Sequence, residues 1–252
     1  MPLKITRKGY ICEARIDRPD ARNAINFELM DRFESLLDEL EESDDYRVFI
    51  LTGTGKSFIS GGDLREFHQI TKAEPARLMG KRMHKILQRI EQLPMWTVAA
   101  VNGYAYGGGW EIMLAFDFRV SVQSAAFGFT QGKFYLPPGW GGLTRLAETT
   151  GRKTALWLLA TQEVLDSDRA LDLGLVNRIY PDDSFTDSVD ELADQLSIND
   201  REFISHLKNR LMQKREAFYE NINDELEPFG NFWEHDEHIR RVNNFLDNKN
   251  RE

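Results

Sequence analysis

A single cysteine, Cys12, stands in a chain of 252 residues. One thiol excludes an internal disulfide, a CxxC redox pair and a zinc site built from several cysteines. The five histidines show no metal-ligand spacing, so no metal is expected. Long apolar runs are also missing, and nothing approaches the roughly 18 residues that a membrane-crossing helix needs. The opening segment, MPLKITRKGYICEARI, lacks the hydrophobic region of a signal peptide and reads as structured from its start. Both features point to a cytoplasmic protein with no membrane partner. Positive charge is scarce, with 32 Lys and Arg against 41 Asp and Glu and a net charge of −9. That balance opposes broad attraction to nucleic acid or an anionic surface. An anionic ligand must be held by local cations or by backbone N–H groups.

What is present is ordinary for a globular protein, with 41% hydrophobic and 29% charged residues. Residues 3–7 and 10–16 flank Lys8-Gly9 as a hairpin closed by Arg18-Pro19-Asp20. Ile25, Leu29, Phe33, Leu36, Leu37 and Leu40 fall at helical spacing, with Asn26 placed to cap. Buried-strand patterns follow at 47–53, 97–103, 117–122, 125–129 and 175–180. Helices are expected from Asp63, up to Gln92, and over 139–151. Strand patterns stop before about 199. The pattern predicts an α/β core of repeated strand–strand–helix units over 1–196 and a helical appendage over 197–252. The acidic run DELEESDD and the segment EHDEHIRR, with His235 and His238, read as solvated helix faces.

Glycine is concentrated at two places, FISGGDL (58–64) and AYGGGWE (105–111). Each stands where a strand pattern gives way to a helix. A helix N-terminus has unpaired N–H groups and partial positive charge, and glycine lets a ligand atom approach that backbone. Two such turns facing each other would make an oxyanion hole. Tight strand–helix packing explains the same glycines. Neither cluster carries the GxGxxG fingerprint of dinucleotide binding, nor does the chain contain a GxxxxGK[ST] phosphate loop. Spacing alone leaves both readings open.

The segments RPDARNAIN (18–26), FILTGTGKSFISGGDLREF (49–67), TVAAVNGYAYGGGWEIMLAFDFRV (97–120) and PPGWGGLTRL (137–146) together resemble the crotonase, or enoyl-CoA hydratase/isomerase, superfamily. The resemblance implies a crotonase-like spiral of ββα units with a C-terminal α-helical region that serves as trimerisation surface or lid. It implies a homotrimer or hexamer, a coenzyme A thioester as substrate and no separate cofactor. It places oxyanion-hole N–H groups on Gly62 and Gly108, with Gly107 and Gly109 serving the turn and packing. It gives Glu111 the position of one of two catalytic glutamates. The other position carries Gln131, a departure from the hydratase pattern. Arg22, Ala24, Ser60, Asp63, Leu64 and Trp140 fall at substrate or coenzyme A positions. Arg18 and Lys56 are further candidates for its phosphates.

The departure at Gln131 bears on the reaction. Hydration divides proton work over two carboxylates, and an amide cannot titrate. One carboxylate plus an oxyanion hole suits decarboxylation of a short malonyl-type thioester, or another enolate reaction. Hydration or double-bond migration in fatty-acid metabolism is the alternative, and a non-catalytic binding protein on the same fold is a second. The residues also admit plainer roles. Asp63 opens a helix as an N-cap, His68 faces away on that helix, Trp110 belongs to the core, and Glu111 could be a surface group facing the helix dipole. Phe229, Phe232, Trp233 and Phe245 call for a neighbouring subunit to cover them.

Overall fold

The computed structural model describes residues 1–212 and 215–249; positions 213, 214 and 250–252 of the expected helical appendage lie outside it. The chain opens with an antiparallel hairpin, β1 (Leu3–Lys8) and β2 (Ile11–Ile16), turned at Gly9. Cys12, Ala14 and Ile16 alternate inward along β2. A 3-10 turn at Pro19–Ala21 leads to α1 (Phe27–Glu42). Its start is set by Asn26, whose side chain accepts the Leu29 N–H at 3.0 Å.

Three units then repeat one plan, a long strand, a short strand, a turn and a helix. The first comprises β3 (Val48–Gly53), β4 (Ser57–Ile59), α2 (Leu64–Phe67) and α3 (Ala73–Gln92). The second comprises β5 (Trp96–Val101), β6 (Tyr104–Tyr106) and α4 (Gly108–Met113). The third comprises β7 (Phe118–Val122), β8 (Ala126–Gly128), a 3-10 turn over Thr130–Phe134 and α5 (Gly142–Thr150). After them come α6 (Arg152–Thr161), β9 (Leu165–Asp166), α7 (Ser167–Asp172), β10 (Arg178–Tyr180) and α8 (Phe185–Leu196). The described residues beyond Leu196 form only helices, α9 (Arg201–Met212), α10 (Glu216–Asp224), α11 (Leu226–Trp233) and α12 (Asp236–Lys249).

The long strands join one sheet in the order β1-β2-β3-β5-β7-β10, and the short strands join a second, β4-β6-β8-β9. From β2 to β10 the first sheet is parallel, which buries both faces of its central strands. All six residues of β3 are buried accordingly. The chain therefore winds as the expected spiral of ββα units. The sequence pattern did not resolve β4 and β6, which intervene before the two glycine clusters. They pair in parallel, Ser57 with Tyr104 and Ile59 with Ala105. Their C-terminal ends therefore deliver the two glycine turns side by side.

The tail folds back on the chain's own core. Helix α11 crosses α3 so closely that a Cβ on Gly230 would lie 2.5 Å from Arg77. Phe229 and Trp233 are buried by this contact, which corrects the expectation that a neighbouring subunit is needed to cover them. Phe232 and Phe245 remain partly exposed, leaning on Tyr135 and Phe134. No helix among the described residues is long and apolar enough to cross a membrane.

Candidate active site

Both glycine turns depend on backbone that side chains rarely adopt. Gly61 after β4 has φ +110° and Gly107 after β6 has φ +54°. The turns touch, since a Cβ on Gly61 would lie 3.4 Å from the Gly108 nitrogen. Among the described hydrogen bonds, neither the Gly62 nor the Gly108 N–H has an acceptor. Gly109 is a packing residue, because a Cβ there would meet the Ile59 carbonyl oxygen at 2.0 Å. Gly108 serves packing as well. A Cβ on it would lie 2.0 Å from Cζ3 of Trp140, and one on Gly62 would lie 3.5 Å from Cζ2 of the same ring. The indole thus lies across both turns. Bare backbone at 108 leaves an N–H open and also makes room for Trp140.

Glu111, in the first turn of α4, is not a surface group; only 2% of it is exposed. Its Oε2 accepts the N–H of Trp140 at 2.7 Å and of Gly142 at 2.9 Å. Its Oε1 accepts Nε2 of Gln131 at 2.7 Å, with a longer approach from Gly139 N–H at 3.4 Å. Burial pushes the carboxyl up to about 7, the charge of Glu225 pushes the same way, and the donated hydrogen bonds pull back. Oε2 is held by two fixed backbone N–H groups, whereas the near donor to Oε1 is a side-chain amide that can turn, so Oε1 is the oxygen free to carry a proton. Gln131 is placed to answer that change. Its own Oε1 is buried without a partner, and a half-turn of the amide would offer it to the protonated acid.

These groups border one cavity of about 90 Å³. At roughly 30 Å³ per water, it holds about three waters, or an acyl group of a few heavy atoms. Its apolar wall includes Leu64, Phe67, Leu136, Trp140 and Phe229. Glu111 is the one carboxylate among the lining residues, and none of them is Lys or Arg. His238 lines it too, contrary to the solvated face expected. It is buried, with Nδ1 2.7 Å from the Phe134 carbonyl, and burial holds its pKa below the ordinary value. Packing of α12 against Trp233 decides this, since the surrounding sequence is charged.

The other expected site residues divide. Gly62, Gly108, Ser60, Leu64, Gln131 and Trp140 line the cavity. Ala24 and Asp63 do not. The Asp63 carboxylate accepts the Arg65 N–H at 3.1 Å and pairs with Arg18 at 2.8 Å, while its own N–H donates to the Ile25 carbonyl. It is the helix cap, the plainer of the two roles the sequence admitted. Arg18, a further phosphate candidate, pairs here with Asp63 and the Ala24 carbonyl. Arg22 stands exposed in the left-handed region at φ 52°, with no side-chain hydrogen bond or ion pair among the described residues. Lys56 is also exposed. Trp110 is core, fully buried against Phe129. His68 borders a smaller neighbouring cavity. Sequence reasoning missed the grip of the 139–142 backbone on Glu111 and the approach of Glu225, for which no local signal exists.

Residues 6–251 match the enoyl-CoA hydratase/isomerase family. The chain is 33% identical over 196 residues to a short-chain-enoyl-CoA hydratase of Clostridium acetobutylicum, covering 77% of this chain and 75% of the relative. It is 30% identical over 226 residues to an ethylmalonyl-CoA decarboxylase of Xenopus tropicalis, covering 88% and 76%. The crystal structure of an enoyl-CoA hydratase from Bacillus anthracis superposes with a TM-score of 0.82 at 26% identity, covering 90% of this chain and 89% of that one. With two open N–H donors and one buried carboxylate around a short apolar cavity, the chain belongs to the enoyl-CoA hydratase/isomerase family, the crotonase superfamily that its motifs resemble.

Proposed function

We propose that this acyl-CoA-processing protein catalyses an enolate reaction with one proton carrier, decarboxylation of a short malonyl-type thioester. The observation that carries the reading is the cavity wall, which has one carboxylate and no cation among its lining residues. The thioester oxygen would sit between the N–H groups of Gly62 and Gly108, where charge developing on it is stabilised. A carboxylate on the α carbon would then enter a cavity with no Lys or Arg to pair it, an expensive place for a charge. Breaking the carbon–carbon bond relieves that cost. The bonding pair moves into the enolate, and neutral carbon dioxide departs. Glu111, protonated on Oε1, returns a proton to the α carbon and is refilled from solvent. Its pKa of about 7 suits that exchange at neutral pH. Gln131 orients the acid but cannot activate a water.

Double-bond migration uses the same parts, with Glu111 starting as the carboxylate, and the relative named as a hydratase keeps hydration in view. The same reading includes a homotrimer or hexamer, as the family resemblance implies. Phe203, Leu207 and Leu211 of α9 leave an apolar stripe open for such contacts. The reaction is tested by incubating the purified protein with methylmalonyl-, ethylmalonyl-, crotonyl- and 3-enoyl-CoA in deuterated water. The expected result is carbon dioxide release from the malonyl types with deuterium on the α carbon. Faster turnover of crotonyl-CoA than of either malonyl thioester would overturn the reading.

A further inference from the structure

Two buried glutamates close over one helix end. The N-terminus of α5 presents consecutive N–H groups at Gly142, Leu143 and Thr144. Glu111 of α4 accepts the first at 2.9 Å. Glu225, at the junction of α10 and α11, accepts the next two at 3.3 and 2.8 Å. Both are almost free of solvent, 2% and 6% exposed. A carboxylate at a helix N-terminus is favourable, but two of them share one dipole here.

The neighbouring ionisable groups are already committed. Arg145 of α5 holds Glu91 of α3 through two contacts of 3.0 Å and also donates to the Trp140 and Gly141 carbonyls. His84 of α3 meets the Gly139 carbonyl through Nε2 at 3.0 Å, and burial brings it down to about 4, so it is neutral. Tyr219 of α10 is pushed up to about 12 and is neutral as well. Arg215 pairs with Glu148 at the surface. On the cavity side Glu111 meets the uncharged Gln131. None of these supplies an uncommitted cation to the two glutamates.

We infer that Glu225 is a positioning residue for Glu111, its charge across the α5 N-terminus keeping the proton on Glu111 at neutral pH. Two like charges in one desolvated site do not both ionise at low cost. Burial raises Glu225 as well, but the bonds from Thr144 and Leu143 and the charge of Arg145, itself bonded to Glu91, pull it back; no cation does the same for Glu111, so the charge falls to Glu225. The tail thereby does more than cover the core, since its docking sets the protonation of a cavity residue 114 positions earlier (225 − 111). The catalytic consequence rests on Glu111 being the proton carrier; the test does not.

The test is an infrared titration of the carboxyl C=O stretch in the full-length protein across neutral pH, without substrate. Loss of the titrating band in Glu111→Gln identifies it. Glu225→Gln, neutral but still able to accept a helix N–H, should lower the band's midpoint by about one pH unit. Glu225→Asp retains the charge and should stay near the wild-type midpoint. If Glu225→Gln does not fold, Glu225→Ser, a neutral capping residue, serves the same comparison. With an active substrate, the kcat profile should move by the same interval while KM changes little. An unmoved midpoint in a folded neutral variant, or no titrating band near neutrality in the wild type, overturns the inference. A shifted band beside unchanged turnover in Glu111→Gln would instead overturn the proposed function and leave this coupling standing.

Discussion

Glu111→Gln removes one titrating site and disturbs little else around it. The N–H groups of Trp140 and Gly142 can bond the amide oxygen where they now bond Oε2. The new Nε2 then faces Gln131, whose own Oε1 is buried and unpartnered. A half-turn of Gln131 lets its Oε1 accept from that Nε2 and keeps one bond between the two side chains, so the fold should survive. Activity should fall by about 10²–10⁴-fold, the usual worth of a positioned acid or base. Stability supplies an independent readout with a definite sign. Burial lifts the carboxyl from its ordinary 4.5 to about 7, so the folded state holds this proton more tightly than the unfolded chain does. The associated stabilisation is fully present below 4.5 and is lost as pH rises through about 7. At about 1.4 kcal/mol per pH unit, the rise corresponds to about 3 kcal/mol. The side chain is buried, so solvent does not screen the effect. Glutamine carries no charge at any pH. The variant should therefore match the wild type at about pH 4 and exceed it above neutrality by up to about 3 kcal/mol, roughly 5–10 °C in Tm for a chain of this size. Thermal denaturation followed by circular dichroism at a series of pH values measures this. Stability curves that stay parallel across the series would refute the buried acid.

Gln131→Glu places a second carboxyl against Oε1 of Glu111, so crotonyl-CoA hydration should rise and the pH–rate profile should gain a second step; no gain in hydration would refute the role given to the amide. Trp140→Ala uncovers Gly62 and Gly108 and should cost about 3–5 kcal/mol of stability in urea denaturation. Its kcat/KM should shift toward longer acyl thioesters, and an unchanged chain-length ratio would show that the indole does not limit the cavity. Light scattering should find a trimer or hexamer at micromolar concentration, and a monomer would count against the assembly.

Much of this protein is legible along the chain because its causes are local. The helix at Phe27–Glu42 follows from a six-residue apolar stripe and the Asn26 cap. Strand β3 follows from an unbroken apolar run. The turns at Gly61 and Gly107 follow from backbone that favours glycine. The motifs around them carry the family, and the four residues its resemblance singles out, Gly62, Gly108, Glu111 and Gln131, line one cavity. Strands β4 and β6 escaped notice because three residues are too few to show a period. His238 was misread because a charged neighbourhood in sequence says nothing about the aromatic ring that α12 brings it against.

By itself the sequence determined most of the element plan, the two glycine turns, and the presence of an amide at position 131, where the resemblance implies a second acid. Tertiary structure alone decided what surrounds them. The Gly142 N–H that grips Glu111 lies 31 residues away in sequence, and the Leu143 N–H that Glu225 accepts lies 82 residues from it. Glu225 reads along the chain as one more acid in a charged tail. Periodicity, capping and turn geometry are set by neighbours a few residues apart, so they can be read in order along the chain. Burial, proton affinity and the shape of a cavity depend on which distant segments exclude water from a given group, and only the packed chain specifies that.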